Sequence, residues 1–142
     1  MTKVRHIGIT VTNLDKMLHF YQDLLGFSNA KIALERGTYI DNFSALKDVE
    51  VTTAKLSNGS DDIMIELLKY HSHEGSSFPR EIINSGISHF ALTVDDLEEL
   101  YKKATSEGVV FNSPPQCPPD GKVLVAFCRD PEGNLIELVE VL

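Results

Sequence analysis

The chain has 142 residues, of which 42% are hydrophobic and 24% are charged, and its formal net charge is −8 at pH 7. The negative charge argues against nucleic acid and anionic membrane surfaces as the main partners. No apolar run approaches the roughly 20 residues of a membrane span, and the N-terminus lacks the features of a signal peptide. We therefore expect a soluble, cytoplasmic protein with room for one domain or two small fused units.

The chain begins with a predicted strand, Val4–Val11, which is rich in β-branched residues. Side chains alternate along a strand, so His6 lies on the face opposite Ile7 and Ile9. That apolar face is suited to packing against a helix.

The rest of the first half predicts one helix, a loop and further strands. Apolar residues recur at helical spacing between Asn13 and Gly26 and predict the helix. Asn13 is a favourable N-cap, and Gly26 is a residue at which helices commonly end. After it we predict a weak strand at Phe27–Glu35, a loop at Arg36–Asp48, and strands at about Val49–Leu56 and Asp62–Tyr70 on either side of the turn SNGSDD.

A polar segment, His71–Gly86, separates the two halves of the chain. His71 and His73 within it have the HxH spacing of a metal-binding pair. Since the surrounding residues are rich in serine and glycine, we interpret both as solvated loop histidines.

The second half repeats the order of the first. We predict a strand at Ile87–Val94, a helix capped by Asp95 or Asp96 that ends near Gly108, a short strand at Val109–Asn112, a strand at Lys122–Cys128, and a DPEG turn leading into a last strand that ends at Glu140. Two cysteines, Cys117 and Cys128, have neither zinc-site nor CxxC spacing. In a cytosolic chain we expect them to be free thiols.

The two halves form an internal repeat. Laying His6 on His89 also pairs Thr10 with Thr93, and each half ends in a strand with one acid between apolar neighbours. The repeat predicts a single α+β domain, residues 1–142, of two paired βαβββ modules (1–70 and 87–142) joined by a linker (71–86). Their sheets would form a curved, mixed sheet around a metal-binding cleft.

Four residues at matching positions of the repeat are candidate metal ligands: His6, Glu66, His89 and Glu137. A carboxylate inside an apolar strand is costly unless it is paired, and alternation predicts that all four side chains face the cleft. Singly, each has an ordinary structural explanation; jointly they favour a metal site. Imidazole and carboxylate ligands suit Zn, Ni, Co, Mn or Fe(II).

Three segments carry a family resemblance: HIGITVTNLDKMLHFYQDLLGF, ISHFALTVDDL and DPEGNLIELVE. The chain resembles the vicinal oxygen chelate (VOC) superfamily, of the glyoxalase I and methylmalonyl-CoA epimerase type, over nearly its whole length. The resemblance implies the glyoxalase/bleomycin resistance/dioxygenase fold, a homodimer, and a divalent metal ion bound by His6, Glu66, His89 and Glu137.

The resemblance also implies an activity: a metal-dependent lyase, isomerase or epimerase that removes a proton α to a carbonyl of a small-molecule substrate through a metal-bound enolate. Glu137 is the first choice for a ligand that also acts as base, and Glu66 the second. Epimerases of the family use a further acid, whose position falls near Asp48 or Glu50; a solvated loop acid is the alternative for both.

Two departures bear on the substrate. Glyoxalase I has an arginine for glutathione four residues after the first histidine, where this chain has Thr10. A short neutral side chain cannot pair with a carboxylate, which disfavours a standard glutathione hemithioacetal. A CoA thioester needs a basic patch, and the candidate residues are spread over loops: Arg36, Lys47, Arg80 and Lys122.

Two other functions of the superfamily stay open. An extradiol dioxygenase binds Fe(II) with two histidines and one carboxylate, so Glu66 as a fourth ligand argues against it. A small-molecule binding or resistance protein of the bleomycin-sequestering kind lacks the metal ligands, and the presence of all four candidates argues against that function.

Overall fold

The computed structural model describes residues 1–59 and 63–142, which divide into a first unit, Met1–Ser77, and a second unit, Phe78–Leu142. The boundary falls inside the segment 71–86, and each unit contains one sheet. The predicted turn SNGSDD lies partly outside the described residues, as does the predicted start of its second strand at Asp62.

The first unit has four strands and two helices within the described residues. Its elements are β1 (His6–Thr10), α1 (Leu14–Leu18) continued by a π-helical segment (His19–Leu24), β2 (Ser28–Arg36), α2 (Thr38–Ser44), β3 (Glu50–Ser57) and β4 (Met64–Tyr70). The strand order is β1-β4-β3-β2. The β1 and β4 strands pair in parallel, and the other neighbours are antiparallel.

Alternation along β1 and β4 separates the two faces of this sheet as predicted. Ile9, Ile65 and Leu67 are buried on the face covered by α1, which contacts β4. His6 and Glu66 lie on the opposite face, here called the inner face. The hydrophobic effect therefore orients the polar pair, because the apolar neighbours must face the helix.

The first helix begins and ends at the predicted residues. The side-chain oxygen of Asn13 accepts a hydrogen bond from the Lys16 N–H at 3.0 Å. After the π-helical segment, Gly26 has a φ of 80°, a conformation that glycine adopts without strain. Among the described residues, no helix has the length and apolar character needed to span a bilayer.

The prediction of a loop at Arg36–Asp48 was wrong, because this segment contains α2. One apolar side chain holds this short helix: Ile40 is buried with Val51, and Tyr70 packs against them. Helices this short depend on tertiary contacts for their stability. Because Ile40 is the one buried residue of α2, the sequence of this segment shows no helical periodicity.

The second unit repeats the arrangement with fewer strands. Its elements are β5 (Phe90–Thr93), α3 (Leu97–Ser106), β6 (Val123–Arg129) and β7 (Leu135–Val141), in the order β5-β7-β6. The β5 strand is parallel to β7, as β1 is to β4. The predicted strand at Val109–Asn112 is reduced to one bridge between Phe111 and Cys128. Pro114 and Pro115 follow closely, and proline cannot donate to a strand ladder.

Two carboxylates define the start of α3. Asp96, and not Asp95, is the N-cap, and it accepts a hydrogen bond from the Glu99 N–H at 2.8 Å. The Glu140 carboxylate accepts one from the Leu97 N–H at 2.7 Å. The last strand of the unit therefore holds the first turn of its helix.

A buried carboxylate shapes the turn that leads into β7. Asp130 is 4% exposed, and one of its oxygens accepts hydrogen bonds from the N–H groups of Glu132 and Asn134, at 3.0 and 2.9 Å. Its other oxygen accepts one from the Asn134 side-chain amide at 2.8 Å. The direction in which β7 leaves the turn depends on these three bonds.

We predict that Asp130→Ala lowers the free energy of unfolding by about 2–4 kcal/mol, because hydrogen bonds to a buried charged group are lost and their donors are left unpaired. Urea denaturation followed by circular dichroism measures the change. Asp120→Ala is the matched control, since Asp120 is exposed and accepts one bond from the Lys122 N–H at 3.2 Å. Equal losses in the two variants would contradict the role of Asp130.

Candidate metal centre

The first unit brings two of the four predicted ligands together. His6 Nε2, on β1, lies 3.2 Å from Glu66 Oε2, on β4. Gly8 is directly opposite Glu66 in the parallel ladder. His6, two residues before Gly8, is on the same face of the sheet as Glu66.

The second unit brings the other two predicted ligands together in the same way. His89 Nε2 lies 3.3 Å from Glu137 Oε2. His89 stands just before β5, and Ala91 is directly opposite Glu137 in the ladder with β7. In both units the residue two positions after the histidine is paired with the glutamate, and in both that residue is small.

The spacing within each pair fits two ligands of one divalent ion. Zinc binds imidazole nitrogen and carboxylate oxygen at about 2.0–2.2 Å, so two such donors are about 3.0 Å apart at a right angle and about 3.4 Å apart at the tetrahedral angle. The observed 3.2 and 3.3 Å lie between these limits. Each pair also offers the nitrogen and oxygen donors that first-row metals favour.

The four predicted ligands stand as two pairs, one in each unit. Within residues 1–59 and 63–142, no group of three or more His, Cys, Asp or Glu side chains lies close enough together to hold a metal ion. A site built from all four residues therefore stays a prediction. The exposed fractions are 42% for His6, 13% for Glu66, 32% for His89 and 25% for Glu137, so a ligand from solvent has access to every one.

A hydroxyl orients the histidine of the second pair. The Ser88 hydroxyl lies 2.8 Å from His89 Nδ1. In the tautomer whose Nδ1–H donates a hydrogen bond to this hydroxyl, Nε2 keeps its lone pair for a metal, an arrangement usual around metal-binding histidines. The Phe127 ring stacks edge-on against the imidazole, with 5.1 Å between ring centroids.

The two pairs differ in the residue directly across from each glutamate. Phe127 is opposite Glu137, whereas Lys55 is opposite Glu66, with its Nζ 3.7 Å from Glu66 Oε1. Our sequence reasoning missed Lys55. Extending the repeat alignment to Ala54-Lys55 and Ala126-Phe127 would have found it, because the two alanines precede these equivalent positions.

The remaining candidate residues are not part of either pair. His71 Nε2 contacts the Thr52 hydroxyl at 2.7 Å, and His73 Nδ1 contacts the Ser72 hydroxyl at 2.7 Å, so the two imidazoles have separate partners. Glu50 lies 3.7 Å from Arg36 and alternates with Lys55 onto the other face of β3.

Further predicted residues are placed as follows. Thr10 shares the inner face with His6, Asp48 is an exposed residue with a φ of 54°, Lys47 is in the first unit, and Arg80 and Lys122 are in the second.

Neither cysteine belongs to the candidate site, and the prediction of free thiols is confirmed. Cys117 is exposed and Cys128 is buried. Burial, with a smaller contribution from the Asp130 carboxylate, raises the pKa of the Cys128 thiol to about 12. Cys128 is therefore protonated at neutral pH, which excludes it as a nucleophile.

Comparison with known proteins finds a family and relatives over nearly the whole chain. The family model for the Glyoxalase/Bleomycin resistance protein/Dioxygenase superfamily matches residues 3–138. A probable lactoylglutathione lyase from Synechocystis sp. is 31% identical, over 95% of this chain and 92% of its own length. A chloroplastic probable lactoylglutathione lyase from Arabidopsis thaliana is 26% identical, and this chain spans 35% of its length.

A solved structure shows the same fold. A glyoxalase family protein from Bacillus cereus superposes with a TM-score of 0.90 at 21% sequence identity, covering 100% of this chain and 95% of its own. The predicted α+β glyoxalase/bleomycin resistance/dioxygenase fold is thereby confirmed.

We predict that the native protein has one thiol that reacts rapidly with Ellman's reagent and that both thiols react after unfolding in guanidinium chloride. The physical reason is that the buried Cys128 is inaccessible and protonated, whereas Cys117 is exposed. Cys117→Ser should abolish the rapid phase. A rapid second thiol in the native protein would contradict the burial of Cys128.

Proposed function

The chain belongs to the Glyoxalase/Bleomycin resistance protein/Dioxygenase superfamily, and we propose that it is a metal-dependent glyoxalase-type lyase or isomerase that moves a proton next to a carbonyl group. One observation carries the proposal. Each unit holds a histidine and a glutamate at the same register of a parallel strand pair, at the spacing of two ligands of one ion.

The proposed ligands are His6 and Glu66 from one pair and His89 and Glu137 from the other. This set of two imidazoles and two carboxylates suits Zn, Ni, Co, Mn or Fe(II), and it leaves coordination positions for substrate. When bound, the divalent ion would supply Lewis-acid polarisation of the substrate's carbonyl oxygen.

Glu137 is the proposed base. Its cross-strand neighbour is the apolar Phe127, whereas one oxygen of Glu66 already lies 3.7 Å from the Lys55 ammonium. Glu137 would accept the proton from the carbon next to the carbonyl and return it to the adjacent carbon. Protonation of the same carbon from its opposite face would make the protein an epimerase, and that outcome requires a second acid on that face in addition to Glu137.

The relatives favour a hemithioacetal as the first substrate to test. Two of them, from Synechocystis sp. and Arabidopsis thaliana, are named as probable lactoylglutathione lyases. Thr10 still lacks the charge needed to pair with a glutathione carboxylate. We therefore propose a thiol adduct of a 2-oxoaldehyde in which recognition of the thiol carrier differs from that of glutathione-specific enzymes.

We predict that the chelator-stripped protein binds one divalent ion per chain. His6→Ala and His89→Ala should each weaken binding by at least about tenfold, since even residues that only orient a metal ligand are worth 10–100-fold in affinity. Titration with Co²⁺, followed by its visible absorption, measures this. His73→Ala is the control and should bind normally. Normal affinity in either ligand variant, or two independent ions per chain, would contradict a shared site.

We also predict that Glu137→Gln lowers turnover by at least about 100-fold while metal remains bound, because an amide oxygen can still ligate but cannot accept the proton. Exchange of the substrate's α-proton in deuterated water, followed by NMR, measures the step directly for hemithioacetals, α-hydroxy carbonyls and acyl thioesters. Glu66→Gln should cost less. Full exchange activity in Glu137→Gln would remove Glu137 as the base.

A further inference from the structure

A lysine lies on the inner face of the first unit, beside the His6–Glu66 pair. Lys55 Nζ is 3.7 Å from Glu66 Oε1, while the other oxygen of that carboxylate faces His6. The Lys55 side chain is 41% exposed and the Glu66 side chain 13%. Because the lysine is solvent-exposed and its nitrogen is 3.7 Å from the carboxylate oxygen, this ion pair contributes little to stability, and stabilisation of the fold gives a weak reason for a lysine here.

A second lysine lies directly across from the first. Lys31, on β2, is paired with Lys55 in the antiparallel ladder, so the two side chains leave the same face of the sheet next to each other. Like charges in directly opposite positions destabilise a strand pair. The nearest acid on the same face of β2 is Glu35, about 13 Å along the strand from Lys31, and its carboxylate accepts a hydrogen bond from Thr53.

Binding of a metal ion at the proposed site would leave the positive charges of these two lysines without a balancing carboxylate. A divalent ion held by Glu66 and Glu137 is neutralised by those two carboxylates. Glu66 then no longer balances the Lys55 ammonium as it does in the metal-free chain, so the positive charges of Lys55 and Lys31 stand uncompensated beside a neutral metal cluster. A protein with a formal net charge of −8 thus has a local cationic patch next to the place where substrate would react.

We propose that Lys55, supported by Lys31, binds a carboxylate that the substrate carries close to its reacting carbon. This inference rests on the proposed function, and it names the substrate class of that same site: carbonyl compounds with an anionic group in place of a simple alkyl group. The equivalent position in the second unit is the apolar Phe127, so the lysine subsite belongs to the first unit alone.

Two small chelators test the proposal, because tartronate has a carboxylate where lactate has a methyl group. Calorimetric titration of the Co²⁺-loaded protein gives the two affinities, and the quantity compared is the affinity for tartronate divided by the affinity for lactate. In Lys55→Met this ratio should fall at least fivefold while lactate binds as before, and Lys31→Met should lower it less. Lys55→Arg should keep it. Lys69→Met is the matched control, because Lys69 lies on β4 and alternates onto the other face. An unchanged ratio in Lys55→Met would overturn the proposal.

A second measurement needs no activity and no metal. Acetylation by a water-soluble reagent, read residue by residue by mass spectrometry, should be slowed at Lys55 and Lys31 by malonate and unchanged at Lys69. If the protein binds metal but the chelator ratio does not depend on Lys55, the carboxylate subsite fails and the proposed function stands. If no divalent ion binds, the proposed function fails, and malonate protection of Lys55 then decides the subsite: protection supports it and its absence overturns it.

Discussion

Parallel pairing between the first and last strand of each unit is the constraint on which the candidate site depends. In such a ladder, residues that face each other share one side of the sheet, so one register decides which side chains meet. Pairing Gly8 with Glu66, and Ala91 with Glu137, brings each histidine within 3.3 Å of its glutamate. A shift of one residue would turn each glutamate into the apolar layer under the helix, where a lone charge is costly. Burial of Ile65, Leu67, Ile136 and Leu138 therefore sets the geometry of the polar pairs.

The two units use one scaffold for two different environments. In the second unit the residue across from Glu137 is the apolar Phe127, which also packs against the His89 imidazole, and the Ser88 hydroxyl contacts the same imidazole. Around Glu66 the cross-strand neighbour is a lysine. Repeated modules give equivalent backbone positions, and a single substitution at such a position changes the electrostatics of one half without disturbing its fold. This asymmetry is a physical basis for assigning different roles to two carboxylates that the repeat alone treats as equal.

Part of the fold and the identity of the paired residues could be predicted from the chain itself. Alternation correctly placed His6 and Ile9 on opposite faces of β1. The predictions of the Asn13 cap, the helix end at Gly26 and two free cysteines were also correct. These features depend on local chemistry: side-chain direction in a strand, capping at a helix end, and the positive φ of glycine. Helix α2 could not be predicted, because Ile40 packs against residues distant in the chain. The strand expected near Phe111 is a single bridge, an outcome decided at a sheet edge beside two prolines.

By itself, the sequence determined that His6, Glu66, His89 and Glu137 occupy matching positions of a repeat, since an acid between apolar residues is visible in one dimension. Only the tertiary structure decided how they pair. Strand register sets distances between residues that are 60 or 48 positions apart, and nothing in a local pattern encodes those distances. The same register put Lys55 against Glu66 and Phe127 against Glu137. Composition and periodicity describe each strand separately, so the neighbours that give each carboxylate its environment appear only when the strands are side by side.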